Sequence, residues 1–226
     1  MSTEYYTPAQ ARELLGMTYS ALQNQINTGN LHPVVPPGRK QKVYLKTEVN
    51  DLKAQLEAFY LSRSLQTAPP ARFIKATIED MPQAVQLADR VFGNVNTITL
   101  ETRLAWLEKN PDIDYLLKQA DLIVGYFSLV PLTPETIDDL LHARRKAKDL
   151  NADDIQPYIP GIPVDLYGMA IGVRPGVSKH QKRSWGELLL LGARRAIIAL
   201  GKRGIVIRAL KAHSTTPDGI NLMRHI

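Results

Sequence analysis

The feature that most constrains this chain of 226 residues is the stretch Leu61–Arg72, LSRSLQTAPPAR. Pro69 and Pro70 have no backbone N–H and a fixed φ, so no helix runs through them. Their neighbours are mostly Ser, Gln, Thr and Ala, and the stretch reads as a linker. The chain is therefore expected to fold as two units, a small one over residues 1–60 and a larger one over residues 73–226, with 61–72 between them. No internal repeat competes with that division.

The small unit opens with a helix start. Thr7 is a cap, Pro8 suits the first helical position, and Gln10 completes a capping box. Ala11, Leu14 and Leu15 then share a face. Gly16-Met17 is a turn, and Thr18 caps a second helix in which Leu22 and Ile26 share a face with Tyr19. Gly29 or Asn30 ends that helix in a left-handed conformation. Val34-Val35 and Val43-Tyr44 flank a Pro/Gly turn carrying Arg39, Lys40 and Lys42, which reads as a basic hairpin. Thr47 then caps a third helix with Val49, Leu52, Leu56 and Phe59 at helical spacing.

That order, carried by Tyr6–Ala11, Leu14–Met17, Gly29-Asn30-Leu31 and the run ending in Tyr44, resembles the MerR/excisionase-like winged helix-turn-helix family over residues 4–60. The resemblance implies double-stranded DNA as a partner. Tyr19, Ser20, Gln23, Asn24 and Asn27 then lie on the solvent face of the second helix. Gln and Asn pair with adenine edges, while Ser and Tyr hold phosphate. Arg39, Lys40 and Lys42 on the wing neutralise phosphates.

The charge lies elsewhere. Residues 1–62 hold 6 Lys/Arg against 5 Asp/Glu, residues 63–164 hold 11 against 14, and residues 165–226 hold 11 against 3. A small unit so near neutrality is expected to bind DNA weakly as a single copy. It therefore calls for a homodimer or for help from the basic C-terminal quarter. That quarter also suits a polyphosphorylated small molecule, or a merely solvated face.

In the larger unit, Phe73–Ile78 alternates as a strand. Asp80, with Gln83 three residues on, caps a helix whose Met81, Val85, Ala88 and Phe92 line one face. Thr99 caps another helix, with Leu100, Leu104 and Leu107 inward. Tyr115–Leu117 and Leu122–Val130 form a hairpin about Lys118–Asp121. Pro134–Leu150 reads as a charged helix and Val164–Val173 as a long strand. Arg174–Trp185 is a basic loop, followed by a helix over Gly186–Leu200 with Leu188–Leu191, Ile197 and Ile198 apolar. Ile205–Leu210 is a strand, and Pro217–His225 a final short helix.

This order is similar to the GCN5-related N-acetyltransferase (GNAT) superfamily over residues 72–226. The local matches are Ala76–Pro82, Ile123–Tyr126, Ile171–Pro175 and Thr216–Ile220. The expected fold class is α+β, a small winged helix-turn-helix domain followed by a GNAT-like mixed sheet flanked by helices. The resemblance implies acetyl-CoA or another acyl-CoA as ligand, with its pantetheine on the strand backbone near Ile171 and Val173. It also implies a diphosphate-wrapping loop of pattern Gln/Arg-x-x-Gly-x-Gly/Ala at a helix N-terminus, where amides and the helix dipole favour anions. Gln181-Lys182-Arg183-Ser184-Trp185-Gly186 fits with Ser184 in place of the first glycine, and Lys179, Lys182 and Arg183 add charge. The alternative is a basic loop that contacts DNA or only water. Trp185 also reads as a packing residue.

Catalytic residues stay unassigned. The superfamily often uses a strand carboxylate as base and a Tyr or Ser on the last helix as acid. Here the strand offers Asp165, equally a strand-start cap, and Tyr167; Ser214 and Thr215 precede the last helix. Family members continue beyond Met223–Ile226 with two more strands, which this chain is expected to lack.

Other chemistry is excluded more directly. With no cysteine there is no disulfide, thiolate metal site or cysteine nucleophile. His32, His142, His180, His213 and His225 are scattered, so no metal is expected. No window reaches a membrane span, and Met1–Glu4 does not open a secretory leader, so a cytoplasmic, bacterial location is expected. Three readings follow: a transcription regulator whose second domain binds acyl-CoA, an N-acetyltransferase targeted by its helix-turn-helix, or a recombination or architectural factor with a degenerate GNAT domain.

Overall fold

The computed structural model describes residues 4–38, 41–66, 68–93, 98–214 and 219–220. The chain divides into two compact units, Met1–Thr67 and Ala68–Ile226.

In the first unit, β1 (Tyr5–Tyr6) pairs antiparallel with β2 (Tyr44–Leu45). Helix α1 (Pro8–Leu15) starts on the expected capping box, with Thr7 and Gln10 bonding reciprocally, and stops at Gly16, whose φ of 63° closes the turn. Helix α2 (Tyr19–Asn27) is capped by Thr18, and Gly29 follows it at φ 76°. Val34 and Val43 exchange backbone hydrogen bonds of 2.9 and 2.8 Å, which closes a hairpin over the Pro/Gly turn. Ala11, Leu22, Leu31, Tyr44, Val49 and Leu52 form the core.

Helix α3 departs from expectation at both ends, running from Lys46 to Gln66. It begins before Thr47, where the Lys46 N–H bonds the Glu4 carbonyl at 2.9 Å. It then absorbs the first half of the expected linker, because nothing before Pro69 stops a helix in Leu61-Ser-Arg-Ser-Leu65. Phe59, at helical spacing from Val49, Leu52 and Leu56, is nevertheless exposed.

The second unit is α+β. Its mixed sheet has the order β3-β4-β5-β6-β7, built from β3 (Arg72–Lys75), β4 (Asp114–Gln119), β5 (Leu122–Leu132), β6 (Pro163–Val173) and β7 (Val206–Ala212). The first four are antiparallel neighbours, and β7 lies parallel to β6. Helices α4 (Met81–Phe92), α5 (Leu100–Lys109), α6 (Pro134–Leu141) and α7 (Lys179–Lys202) flank them. The core gathers Met81, Leu87, Trp106, Leu116, Tyr126 and Val130 between sheet and helices. Helix α7 packs close to β3 at Gly192, where an added Cβ would fall 2.1 Å from the Phe73 ring.

Several local expectations are corrected. Asp80 does not cap α4 through its side chain. Its carboxylate instead accepts the Thr77 N–H at 3.0 Å and pairs with Lys118. Gln83 likewise turns to the hairpin, where its side-chain oxygen accepts the Ile123 N–H at 2.6 Å. The helix expected over Pro134–Leu150 ends at Leu141, and Ala143 turns at φ 56°. Arg144 then pairs with Asp138 and Asp139, and Arg145 with Asp154. Phe92, Leu188, Leu191 and Ile198, although apolar, are exposed. The expected final helix lies outside the described residues except for Gly219 and Ile220.

Candidate functional site

Strand β6 is paired on one edge through to its C-terminal end and on the other only along its first half. It faces β5 from Asp165 opposite Leu132 to Val173 opposite Gly125. Its pairing with β7 ends at Gly168 opposite Ala212. Between these registers the partner of β5 steps from Ala170 to Gly168, so Met169 is the extra residue of a bulge. A bulge bends the strand and increases its twist. Here it coincides with the point where β6 parts from β7.

The ladder also says which groups are left over. The Arg174 N–H bonds the Val124 carbonyl at 2.8 Å. In an antiparallel ladder, bonded and non-bonded pairs alternate. Gly172 opposite Tyr126 is therefore a bonded pair, whereas Ile171 and Val173 turn their N–H and C=O away from β5. Among the described residues no strand meets them there. Ile171 and Val173, singled out in the sequence, thus carry the main-chain groups of an open edge.

The loop expected beside that edge is different. Helix α7 begins at Lys179, not at Gly186, with Ser178 as its cap. The Ser178 Oγ accepts the Gln181 N–H at 3.2 Å and its carbonyl accepts the Lys182 N–H at 2.9 Å. From there the amides of Arg183, Ser184, Trp185 and Gly186 are spent inside the helix. They form no exposed cradle. Lys, Gln and Arg are good helix formers, and Ser178-x-x-Gln181 is a cap signature that outweighs a degenerate glycine pattern. A Cβ at Gly186 would meet nothing within 4 Å, so no close approach requires glycine there. The amides left without a helical partner are those of Lys179 and His180, after a turn at Gly176 with φ 78°.

The side chains of the expected loop also separate. Trp185 is buried, and its Nε1 donates to the Gln119 side chain at 3.1 Å, so it packs rather than lines a ligand site. Arg183 pairs with Glu187 at 2.9 Å, one helical turn on. Gln181 and Ser184 are half-buried and Lys182 is exposed. Arg174 stands at the end of β6. Burial, and then the charge of Arg90 on α4, pushes its guanidinium below the usual arginine range. Two cations that crowd each other favour an anion nearby.

The carboxylate considered as a base is engaged elsewhere. Asp165 is 4% exposed and accepts from Arg208 Nε at 2.7 Å. Tyr167 belongs to the core, and burial raises its pKa. Ser214 is half-buried, while Thr215 lies outside the described residues.

Sequence reading missed a cavity of about 210 Å³ on the α4 side of the sheet. Met169 and Ala170 of the β6 bulge line it, with Ala84, Val85, Ala88 and Phe92 of α4 and two polar residues, Arg103 and Tyr126. Arg103 Nη1 reaches Ser128 Oγ at 3.1 Å and Asp114 Oδ1 at 3.4 Å, and the Tyr126 hydroxyl donates to that same oxygen at 2.7 Å. The guanidinium also lies 5.0 Å from the Trp106 ring and 5.5 Å from that of Tyr126. Burial, and to a lesser degree the charge of Asp114, drives the Tyr126 phenol up, so it stays a donor although Arg103 pulls the other way. No sequence signal marked this network, because Asp114, Tyr126 and Ser128 meet through strand register and Arg103 reaches them from α5. Among the described residues no three His, Asp or Glu side chains cluster as metal ligands, and no helix is long and apolar enough to cross a membrane.

In the first unit, Tyr19, Ser20, Gln23, Asn24 and Asn27 all lie exposed on α2, and Lys42 is exposed in the hairpin just before Val43. Gln23 donates to Asn27 at 3.1 Å, so those two amides present one linked polar surface. Arg39 and Lys40 lie outside the described residues.

No family model matches the chain, and no curated protein matches it. Among solved structures, it is similar to the GphF GNAT-like decarboxylase in complex with isobutyryl-CoA, at 20% identity and a TM-score of 0.41 over 54% of this chain. The match spans 59% of that protein's length. The loading GNATL domain of CurA from Lyngbya majuscula is 17% identical with a TM-score of 0.44, over 66% of this chain and 69% of that one. A transcriptional regulator from Bacillus halodurans C-125 is 17% identical with a TM-score of 0.40, over 69% and 90%.

Proposed function

We propose that residues 68–226 form a GNAT-like domain that binds an acyl-CoA, and that residues 1–67 form a winged helix-turn-helix that binds double-stranded DNA. The protein is then a ligand-responsive transcription regulator, acting as a homodimer. The observation that carries the coenzyme half is the open edge of β6. A pantetheine arm is an extended chain with amide groups, and the outward N–H and C=O of Ile171 and Val173 offer it strand-like pairing. The diphosphate belongs at the head of α7, near the Lys179 and His180 amides, with Arg174, Lys182 and Arg183 in the same region. When bound, the coenzyme supplies an activated thioester carbonyl. The chain's own residues position it against the bulge at Met169 and Ala170.

We favour binding over turnover because Asp165, the carboxylate of that strand, is already engaged by Arg208.

The DNA half rests on the exposed Gln and Asn of α2 and on the basic hairpin. Calorimetric titration with CoA and acetyl-CoA tests the first half, with binding expected and no thiol release on adding a panel of amines. Release would instead make the protein an acetyltransferase. For the DNA half, reversing the charge of Arg39, Lys40 and Lys42 should lower duplex affinity across sequences. The salt slope should fall by about 0.9 for each lost phosphate contact. An unchanged slope would remove the wing from the account.

A further inference from the structure

We infer that the cavity between α4, α5 and the β6 bulge is a binding site for a short aliphatic carboxylate, with Arg103 as its anchor. A carboxylate site here is independent of coenzyme binding, and either can be absent without the other. Arg103 is 6% exposed, yet it lines a cavity whose other walls, Tyr126 apart, are apolar, among them Ala84, Val85, Ala88 and Met169. Both of its hydrogen bonds leave from Nη1. Among the described residues nothing bonds Nε or Nη2, which together make the planar fork that grips a carboxylate with two parallel bonds.

The internal ion pair engages only one nitrogen of the arginine. Its contact with Asp114 is single and long, at 3.4 Å, and Asp114 takes its short bond of 2.7 Å from Tyr126. The charge of Asp114 is thus gathered on the Nη1 side and leaves the fork for a second anion. The volume and the small side chains of α4 suit an acid of about four to six carbons. The same chemistry has two sources. The carboxylate is the far end of an acyl group carried by CoA on the adjoining strand edge, or it belongs to a separate small acid.

The test is calorimetric titration of the full chain with butyryl-CoA, succinyl-CoA and free butanoate. The two thioesters differ at the chain end, methyl against carboxylate. An acyl-borne carboxylate predicts that succinyl-CoA binds at least about tenfold more tightly than butyryl-CoA, the worth of a charge-assisted pair. A separate acid predicts no such preference and direct binding of butanoate. Arg103→Gln should erase whichever signal is seen. Because that change strands Asp114 and threatens folding, Ala88→Phe is the second variant. It fills the cavity and leaves the Arg103 network in place, and it should erase the same signal while CoA itself still binds. Equal affinity for the two thioesters together with no butanoate binding would overturn the inference. Loss of all CoA binding with butanoate retained would overturn only the coenzyme reading.

Discussion

The alternation along β6 makes one pair of substitutions unusually informative. Proline at Ile171 and proline at Gly172 are adjacent changes of one chemistry, yet the ladder assigns them opposite consequences. The Ile171 N–H points to the open edge, so Ile171→Pro removes no ladder bond. Ala170 before it is already in a strand, the conformation that proline demands of its predecessor. The expected cost is within about 1 kcal/mol, because edge positions tolerate proline. The Gly172 N–H, by contrast, bonds the carbonyl of Tyr126, a buried residue. Orphaning that acceptor costs about 1–3 kcal/mol. A Cβ at Gly172 would also stand 2.7 Å from Val91 Cγ1, adding an overpacking cost of roughly 1–3 kcal/mol. Gly172→Ala carries the steric part alone and serves as the control. At roughly 2–4 °C per kcal/mol, Gly172→Pro should lower Tm by about 5 °C or more and Ile171→Pro by only a few degrees. In a CoA titration Ile171→Pro should weaken binding about two- to tenfold, the worth of one hydrogen bond. Equal destabilisation by the two prolines would refute the alternation, and with it the assignment of outward groups.

Two further outcomes test the frame that holds the edge. Gly192→Ala gains about 1 kcal/mol of helix propensity but drives a Cβ into Phe73, which stacks on Tyr115 at 5.4 Å, so denaturant melts should show net destabilisation. Asp112 ties Lys75 of β3 to Arg203 at the end of α7. Burial raises its pKa, but the hydrogen bonds of Arg203 and Lys75 outweigh that and leave it lowered. A lowered folded pKa contributes stability above the ordinary carboxylate value, lost as pH falls through the folded one. The deficit of Asp112→Asn should therefore be full at pH 7 and shrink below about pH 4 in melts taken across that range.

How much of this was legible in the sequence depends on how local the deciding interaction is. Thr7 with Gln10, Thr18, Thr99 and Gly16 act within a few residues, and their caps and turn appear where the sequence placed them. Helix α7 was misread because a run of cations resembles a loop, although Ser178 and the helix-forming Lys, Gln and Arg start it seven residues before Gly186. Leu61–Gln66 was misread for a similar reason, since serines between leucines look like linker until a preceding helix is there to extend. Periodicity puts Phe92 on one face with Met81, Val85 and Ala88 but does not say how far that face is covered, and Phe92 is exposed. The open edge of β6 needed a register and a bulge, and the Arg103 network needed four residues from a helix and two strands to converge. Neither is written in any short stretch of sequence.

The central claim is that the main-chain groups of Ile171 and Val173 are open to a ligand, and residue-resolved amide hydrogen exchange reads it directly. In the free protein the amides of Ile171 and Val173 should exchange quickly while those of Gly172 and Arg174 stay protected. Adding CoA should slow the first pair and leave the second unchanged. Four amides protected alike without ligand, or no change at Ile171 and Val173 on saturation with CoA, would contradict it.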